Sequence, residues 1–112
     1  MERTVSKSEI RAKSLGIIGE GLSALSNESR MNITRYIQKN KEVTFGMLRQ
    51  NFNMNNNTLT FHLQKLLKAY IISHPKDRGP YQVGPLGNKM LQLLDTLEVD
   101  VSSIIEKILA YT

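Results

Sequence analysis

Apolar residues recur at the three- and four-residue spacing of a helix in the first part of the chain. One such stretch opens at Ser8 and predicts a helix whose middle is weakened by Gly16 and Gly21. Its apolar positions are Ile10, Leu15, Ile17, Ile18, Leu22 and Leu25. A second stretch follows Ser26 and Asn27, either of which can cap a helix. Its apolar face is made of Met31, Ile33 and Ile37, with Tyr36 beside them. The pattern predicts two successive helices.

Two further helices are predicted around a polar turn. Thr44 can cap a short helix from Phe45 to about Phe52. The asparagine-rich residues 51–55 favour a tight turn, and Asn55 or Asn56 can cap the helix that follows, over residues 56–69. Four residues of this last helix fall on one apolar face: Leu59, Leu63, Leu66 and Tyr70. The opposite face is polar and is therefore expected to point outward.

The spacing of apolar residues changes to about two after residue 70. Residues 71–74 and 81–83 read as short strands, and residues 75–80 between them include Lys76 and Arg78. The sequence therefore predicts a β-hairpin with a basic tip. Pro85, preceded by a glycine, suits the first position of a closing helix.

The closing segment carries apolar residues at alternating steps of three and four. The seam consists of Met90, Leu94, Leu97, Val101, Ile104 and Ile108, and Tyr111 continues it. These residues can pack on the chain's own core or against the same helix of a second copy. We favour a homodimer, because so long a seam exceeds what one small core needs. β-Branched and acidic residues within 98–102 leave open a break into two helices.

Composition narrows the function classes. The 112 residues suffice for a single domain, and the 40% hydrophobic and 22% charged fractions are ordinary for a globular protein. The chain has no cysteine, and its only histidines are His62 and His74, so we expect neither a metal site nor a cofactor. The sequence lacks a membrane-spanning apolar run and a secretory leader, so we expect a cytoplasmic protein. It also lacks an enzyme motif, and we therefore predict no catalytic activity.

Charge is distributed unevenly along the chain. The net charge is +5, yet residues 43–76 contain no Asp or Glu, whereas the segment from Pro85 onward is net acidic. The basic residues of that acid-free stretch are Arg49, Lys65, Lys68 and Lys76, with Arg78 just beyond it. A positive centre of this kind favours a nucleic-acid partner.

Three segments resemble those of ArsR-type winged helix-turn-helix regulators. Residues 25–33, LSNESRMNI, resemble the ALADPTRLRI segment of that family, and residues 58–66, TLTFHLQKL, resemble its recognition helix SxSYHLKKL. Residues 81–87, YQVGPLG, resemble the YxLTPLG exit from the wing. The resemblance implies a mainly helical fold with a small β-hairpin wing, and N- and C-terminal dimerisation helices. It divides the single domain 1–112 into a flexible N-terminus (1–8), a winged helix-turn-helix (22–84) and a dimerisation segment (85–112).

The resemblance also implies which residues contact double-stranded DNA. On the fourth helix these are Asn56, Asn57, Thr58, Thr60, Phe61, Gln64, Lys65 and Lys68, and on the hairpin Lys76 and Arg78. Asn and Gln can pair with adenine, Thr can bond phosphates or bases, and Lys can bind phosphate or guanine. The Phe61 ring can touch thymine methyl groups or tuck against the preceding helix. We expect His62 to be a hydrogen-bonded packing residue and not a ligand.

The leading hypothesis is a sequence-specific transcription regulator, and specifically a repressor. The alternatives are a protein–protein interaction module with the same fold and a non-specific architectural DNA binder. Gly16 and Gly21 leave room for a small pocket between two subunits, although nothing in the sequence specifies a ligand.

Overall fold

The computed structural model describes residues 2–75 and 79–112, and within them it contains five helices and one two-stranded antiparallel sheet. The elements are α1 (Lys7–Leu25), α2 (Glu28–Asn40), α3 (Phe45–Asn51), α4 (Asn56–Lys68), β1 (Ile72–Ser73), β2 (Gln82–Val83) and α5 (Pro85–Ala110). The predicted fold, mainly helical with a small hairpin, is confirmed. Lys76 and Arg78, which we assigned to the hairpin tip, lie outside the described residues.

Side-chain caps fix the starts of the first four helices. Ser6, Asn27, Thr44 and Asn55 each accept a hydrogen bond from a backbone N–H three residues ahead, at 2.8–3.2 Å. Each cap satisfies a donor that the helix itself leaves unpaired. Because Ser6 acts in this way, α1 begins at Lys7 and includes two residues that we assigned to the flexible N-terminus. At α5, Gly84 occupies the cap position and Pro85 the first turn, as predicted.

The core lies between α2, α3, α4 and the start of α5. Its fully buried side chains include Ile33, Ile37, Val43, Leu48, Leu59, Leu63, Leu66, Ile71 and Leu91. Tyr70, which we predicted on the apolar face of α4 with Leu59, Leu63 and Leu66, is instead 67% exposed. It follows the end of α4 with φ of 62°, where Ile71 N donates to Leu66 O and Tyr70 N donates to Leu67 O. This pair of bonds is a Schellman ending, and it turns the Tyr70 side chain away from the core.

The hairpin is attached to the segment that precedes α3. Ile72 pairs with Val83 and Ser73 with Gln82, so β1 and β2 are antiparallel. Val43, which lies just before α3, exchanges two backbone hydrogen bonds with Tyr81, at 3.0 and 2.7 Å. Val43 thereby extends the small sheet by one bridge and holds the wing beside the helices.

α5 is a single helix of 26 residues, so the break considered within 98–102 does not occur. Its first turns pack on the core through Gly87, Met90 and Leu91. Arg35 of α2 forms a salt bridge of 2.6 Å with Asp95 of α5. Beyond this point the helix extends away from the core. In the described part of the chain, no helix combines the length and apolar character needed to cross a membrane.

Candidate nucleic-acid interface

A helix-turn-helix is formed by α3, a four-residue turn and α4. Within it, Phe52 N donates to Leu48 O at 2.9 Å, and Met54 N donates to Phe52 O at 2.9 Å. The Phe52 ring packs edge-on against Tyr36 of α2, with the ring centroids 5.6 Å apart. The turn is therefore held by its own backbone and by an aromatic contact with the preceding helix.

α4 has one buried face and one exposed face. Leu59, His62, Leu63 and Leu66 are buried. The eight residues of α4 that we predicted as DNA contacts are all exposed, and they are Asn56, Asn57, Thr58, Thr60, Phe61, Gln64, Lys65 and Lys68. The structure therefore brings this set together on the outward surface of one helix. The other two predicted contacts, Lys76 and Arg78, are not among the described residues.

The Phe61 side chain lies on the surface of α4 and is 52% exposed. Its ring contacts the His62 ring edge-on, with centroids 5.7 Å apart, and Lys65 Nζ lies 5.5 Å from the ring centroid. An ammonium group over an aromatic face is attracted by the ring quadrupole. Phe61 thus helps to orient Lys65 while keeping half of its own surface available to a partner.

Arg49 is a basic residue at this surface that our list of predicted contacts omitted. Its guanidinium donates to the Asn56 side-chain carbonyl, which joins the end of α3 to the first turn of α4. The first turn of α4 has no acidic residue. The unpaired N–H groups and the helix dipole make this end of the helix positive, and Arg49 adds a full charge. The acid-free sequence around Arg49 was the signal that could have placed this residue at the surface. The contact between Arg49 and Asn56 depends on the turn geometry and could not be read from the sequence.

His62 is a hydrogen-bonded packing residue, as predicted. It is buried, and its Nδ1 lies 3.3 Å from a terminal nitrogen of Arg30. Because a guanidinium can only donate, His62 Nδ1 accepts, and the proton of the neutral ring resides on Nε2. Burial and the positive charge of Arg30 both lower the pKa of His62. Arg30 is itself held by a hydrogen bond of 2.7 Å, which its Nε donates to Ala24 O at the end of α1.

The predicted apolar seam of α5 begins later than we expected. Met90 is buried in the chain's own core, where its Sδ and Cε fill the space above Gly21 of α1. The absence of a side chain at Gly21 lets α1 cross α5 at this point and cover Met90. Leu94 is half-buried against the core. The later seam residues Leu97, Ile104 and Ile108 are exposed, and Val101 is partly so.

The arrangement of α3, α4 and the hairpin defines a winged helix-turn-helix protein. A family model described as "Domain of unknown function (DUF7347)" matches residues 19–94, and the chain belongs to this family. A solved structure titled "ArsR-like Transcriptional Regulator from Rhodococcus sp. RHA1" has a similar fold, with a TM-score of 0.61 and 18% sequence identity. The similarity covers 88% of this chain and 95% of that chain. No sequence among curated proteins matches this chain. The ArsR-type resemblance of the sequence is thus confirmed in the fold.

Proposed function

We propose that this protein is a sequence-specific regulator of transcription that inserts α4 into the major groove of double-stranded DNA. The observation that carries this proposal is the outward face of α4, where eight polar, basic or aromatic residues lie together and no acidic residue interrupts them. An α-helix fits the major groove of B-DNA, in which each base pair presents a distinct set of donors and acceptors. The similar fold of an ArsR-like transcriptional regulator supports the same assignment.

Residue chemistry divides this face into base contacts and phosphate contacts. Asn57 and Gln64 are seven residues apart and therefore lie on the same side of α4, about 10 Å apart along the axis. That distance corresponds to roughly three base pairs, so the two amides can read bases at different positions. Lys65, Lys68 and Arg49 suit phosphates. Thr58 and Thr60 are suited to phosphate oxygens or base edges.

We further propose that two copies pair through α5, with α1 contributing. Three apolar side chains of the seam beyond Leu94 are each more than half exposed within the described chain, and they are Leu97, Ile104 and Ile108. On α1, Leu15, Ile18 and Leu22 are also exposed. A two-fold dimer would present two α4 helices to a pseudo-palindromic site with half-sites about one helical turn apart. Such a dimer would repress by occluding a promoter.

The decisive experiment selects bound duplexes from a random pool and then measures their affinity by fluorescence anisotropy at several salt concentrations. We expect a palindromic sequence to emerge. Gln64→Ala should lose roughly 1–3 kcal/mol for the selected site and little for an unrelated duplex. Lys65→Ala should weaken both about equally and reduce the salt slope by about one.

The matched controls are Gln92→Ala and Lys107→Ala, exposed residues of the same types on α5. Neither should change affinity measurably. Equal affinity for all duplexes would make the protein a non-specific architectural binder. The absence of binding to any duplex would favour a protein–protein interaction module instead.

A further inference from the structure

A groove of about 750 Å³ lies between α1 and the C-terminal half of α4. Ala12, Lys13, Gly16, Ile17, Glu20, Ser23 and Ala24 of α1 line it, together with Arg30, Lys65, Lys68, Ala69 and Tyr70. Its volume falls within the range of about 300–1,000 Å³ that is typical of sites for small molecules. The groove shares Lys65 and Lys68 with the proposed DNA-binding face.

The charge and polarity of the groove define the ligand that it suits. Lys13, Arg30, Lys65 and Lys68 oppose a single acid, Glu20, which gives the lining a formal charge of +3 (four minus one). Within residues 2–75 and 79–112, none of the cations on the α2 and α4 side forms a salt bridge with a carboxylate. The remaining lining is mostly small and apolar. A molecule with an apolar body and one anionic group matches both properties.

The groove lies on the side of α1 that faces away from the proposed dimer surface. At 100° per residue, the groove-lining residues of α1 are centred about 150° around the helix from Leu15, Ile18 and Leu22. A dimer that buries those three residues therefore leaves the groove open. This location differs from the inter-subunit pocket that the sequence suggested. Met90 occupies the space at Gly21, whereas Gly16 faces a groove within one chain.

We propose that this groove binds a small amphipathic anion, which carries a carboxylate, sulfonate or phosphate on an apolar body, and that the bound anion weakens DNA binding. The second half of this inference rests on the proposed function. An anion that holds the ammonium groups of Lys65 and Lys68 in the groove withdraws them from DNA phosphates. By thermodynamic linkage, DNA lowers the affinity for the anion by the same factor.

The first test uses sodium octanoate as the probe and the backbone amides of the glycines as reporters. Gly16 lines the groove, whereas Gly19 lies farther around α1 and Gly46 lies on α3. In ¹⁵N-glycine-labelled protein, octanoate should shift the Gly16 amide resonance saturably and leave Gly46 unchanged. Octylammonium, which has the same body with the opposite charge, should not shift Gly16. An unmoved Gly16 resonance, or equal shifts at Gly19 and Gly46, would overturn the proposal.

The second test fills the groove. A Cβ at Gly16 meets no atom within 4 Å, so Gly16→Phe can project into the groove without a backbone clash, and Gly16→Ala is its small matched control. By titration calorimetry, octanoate affinity should fall at least tenfold in Gly16→Phe and remain within twofold in Gly16→Ala. Unchanged octanoate affinity in Gly16→Phe would contradict the assignment of the site.

The effect on DNA is measured separately with the selected duplex. Saturating octanoate should lower the DNA affinity of the native chain several-fold and leave that of Gly16→Phe unchanged. An unaltered DNA affinity of the octanoate-loaded native chain would overturn the antagonism. If the chain binds octanoate at Gly16 but binds no duplex, the proposed function and the antagonism fail while the anion site stands.

Discussion

An alanine at position 87 tests how α5 is fixed to the rest of the domain. Gly87 lies in the first turn of α5, and a Cβ there would stand 2.1 Å from the carbonyl oxygen of Ile71 and 2.9 Å from Cγ1 of Val83. Ordinary carbon–oxygen contacts begin at about 3.3 Å, so the two elements would have to separate by roughly 1 Å. The Ile71 carbonyl cannot retreat freely, because it accepts a hydrogen bond of 2.9 Å from Gly84 N.

The expected cost of Gly87→Ala follows from these contacts. Overpacking a tight interior costs about 1–3 kcal/mol, and loss of the hydrogen bond to the Ile71 carbonyl adds about 1 kcal/mol. The better helix propensity of alanine returns up to about 1 kcal/mol. The net loss is about 1–4 kcal/mol, which corresponds to a fall in the melting temperature of roughly 5–20 °C for a domain of this size.

Thermal unfolding followed by circular dichroism measures this loss. The matched control is Gly16→Ala, in which the new Cβ meets no atom within 4 Å and the helix gains about 0.5–1 kcal/mol. The same methyl group should therefore lower the melting temperature at one site and raise it at the other. A melting temperature of Gly87→Ala within about 2 °C of the native chain would refute the claim that this backbone contact fixes α5.

Three further predictions concern a helix cap, a histidine and the proposed dimer. Asn55→Ala should remove the cap of α4 and lower the free energy of unfolding, measured in urea, by about 1 kcal/mol. The control Asn53→Ala, at a neighbouring asparagine that does not cap the helix, should leave it nearly unchanged. In NMR titration, the pKa of His62 should lie below the ordinary value of about 6.5. Its contribution to stability is therefore complete above the ordinary pKa and is lost as the pH falls from there through the lower pKa of the folded chain. A His62→Gln variant that keeps the same pH dependence of stability would contradict this. Leu97→Glu should convert the proposed dimer to a monomer in sedimentation experiments, while Thr96→Glu, on another side of α5, should not. A native chain that is monomeric at micromolar concentration would disprove the pairing.

The predictable part of the fold was local. Thr44 could be identified as a cap from sequence, because a cap and the N–H that it binds are three residues apart. The face of α4 that carries Leu59 and Leu63 followed from helical periodicity. The same periodicity failed at Tyr70, since it does not reveal where a helix ends. A Schellman ending usually has glycine at that position, and a tyrosine gave no signal of it.

The remaining features depend on contacts between distant parts of the chain. Met90 follows the heptad-like spacing of the seam, and only the crossing of α1 at Gly21 shows that it is already covered. The outward set on α4 could be listed from the sequence, but the bond between Arg49 and Asn56 could not. The groove likewise needs Lys13 and Lys65, which are far apart in sequence, to face one another across two helices.

The bridge between Val43 and Tyr81 has a consequence for how recognition can change. It consists of two backbone hydrogen bonds, so the placement of the wing depends little on the side chains at these positions. Under the proposed function, exposed residues of α4 can therefore be exchanged to read new base sequences while the distance between the helix and the wing is preserved. If α4 binds DNA as proposed, specificity and docking geometry are separable properties of this domain, and one can be redesigned without disturbing the other.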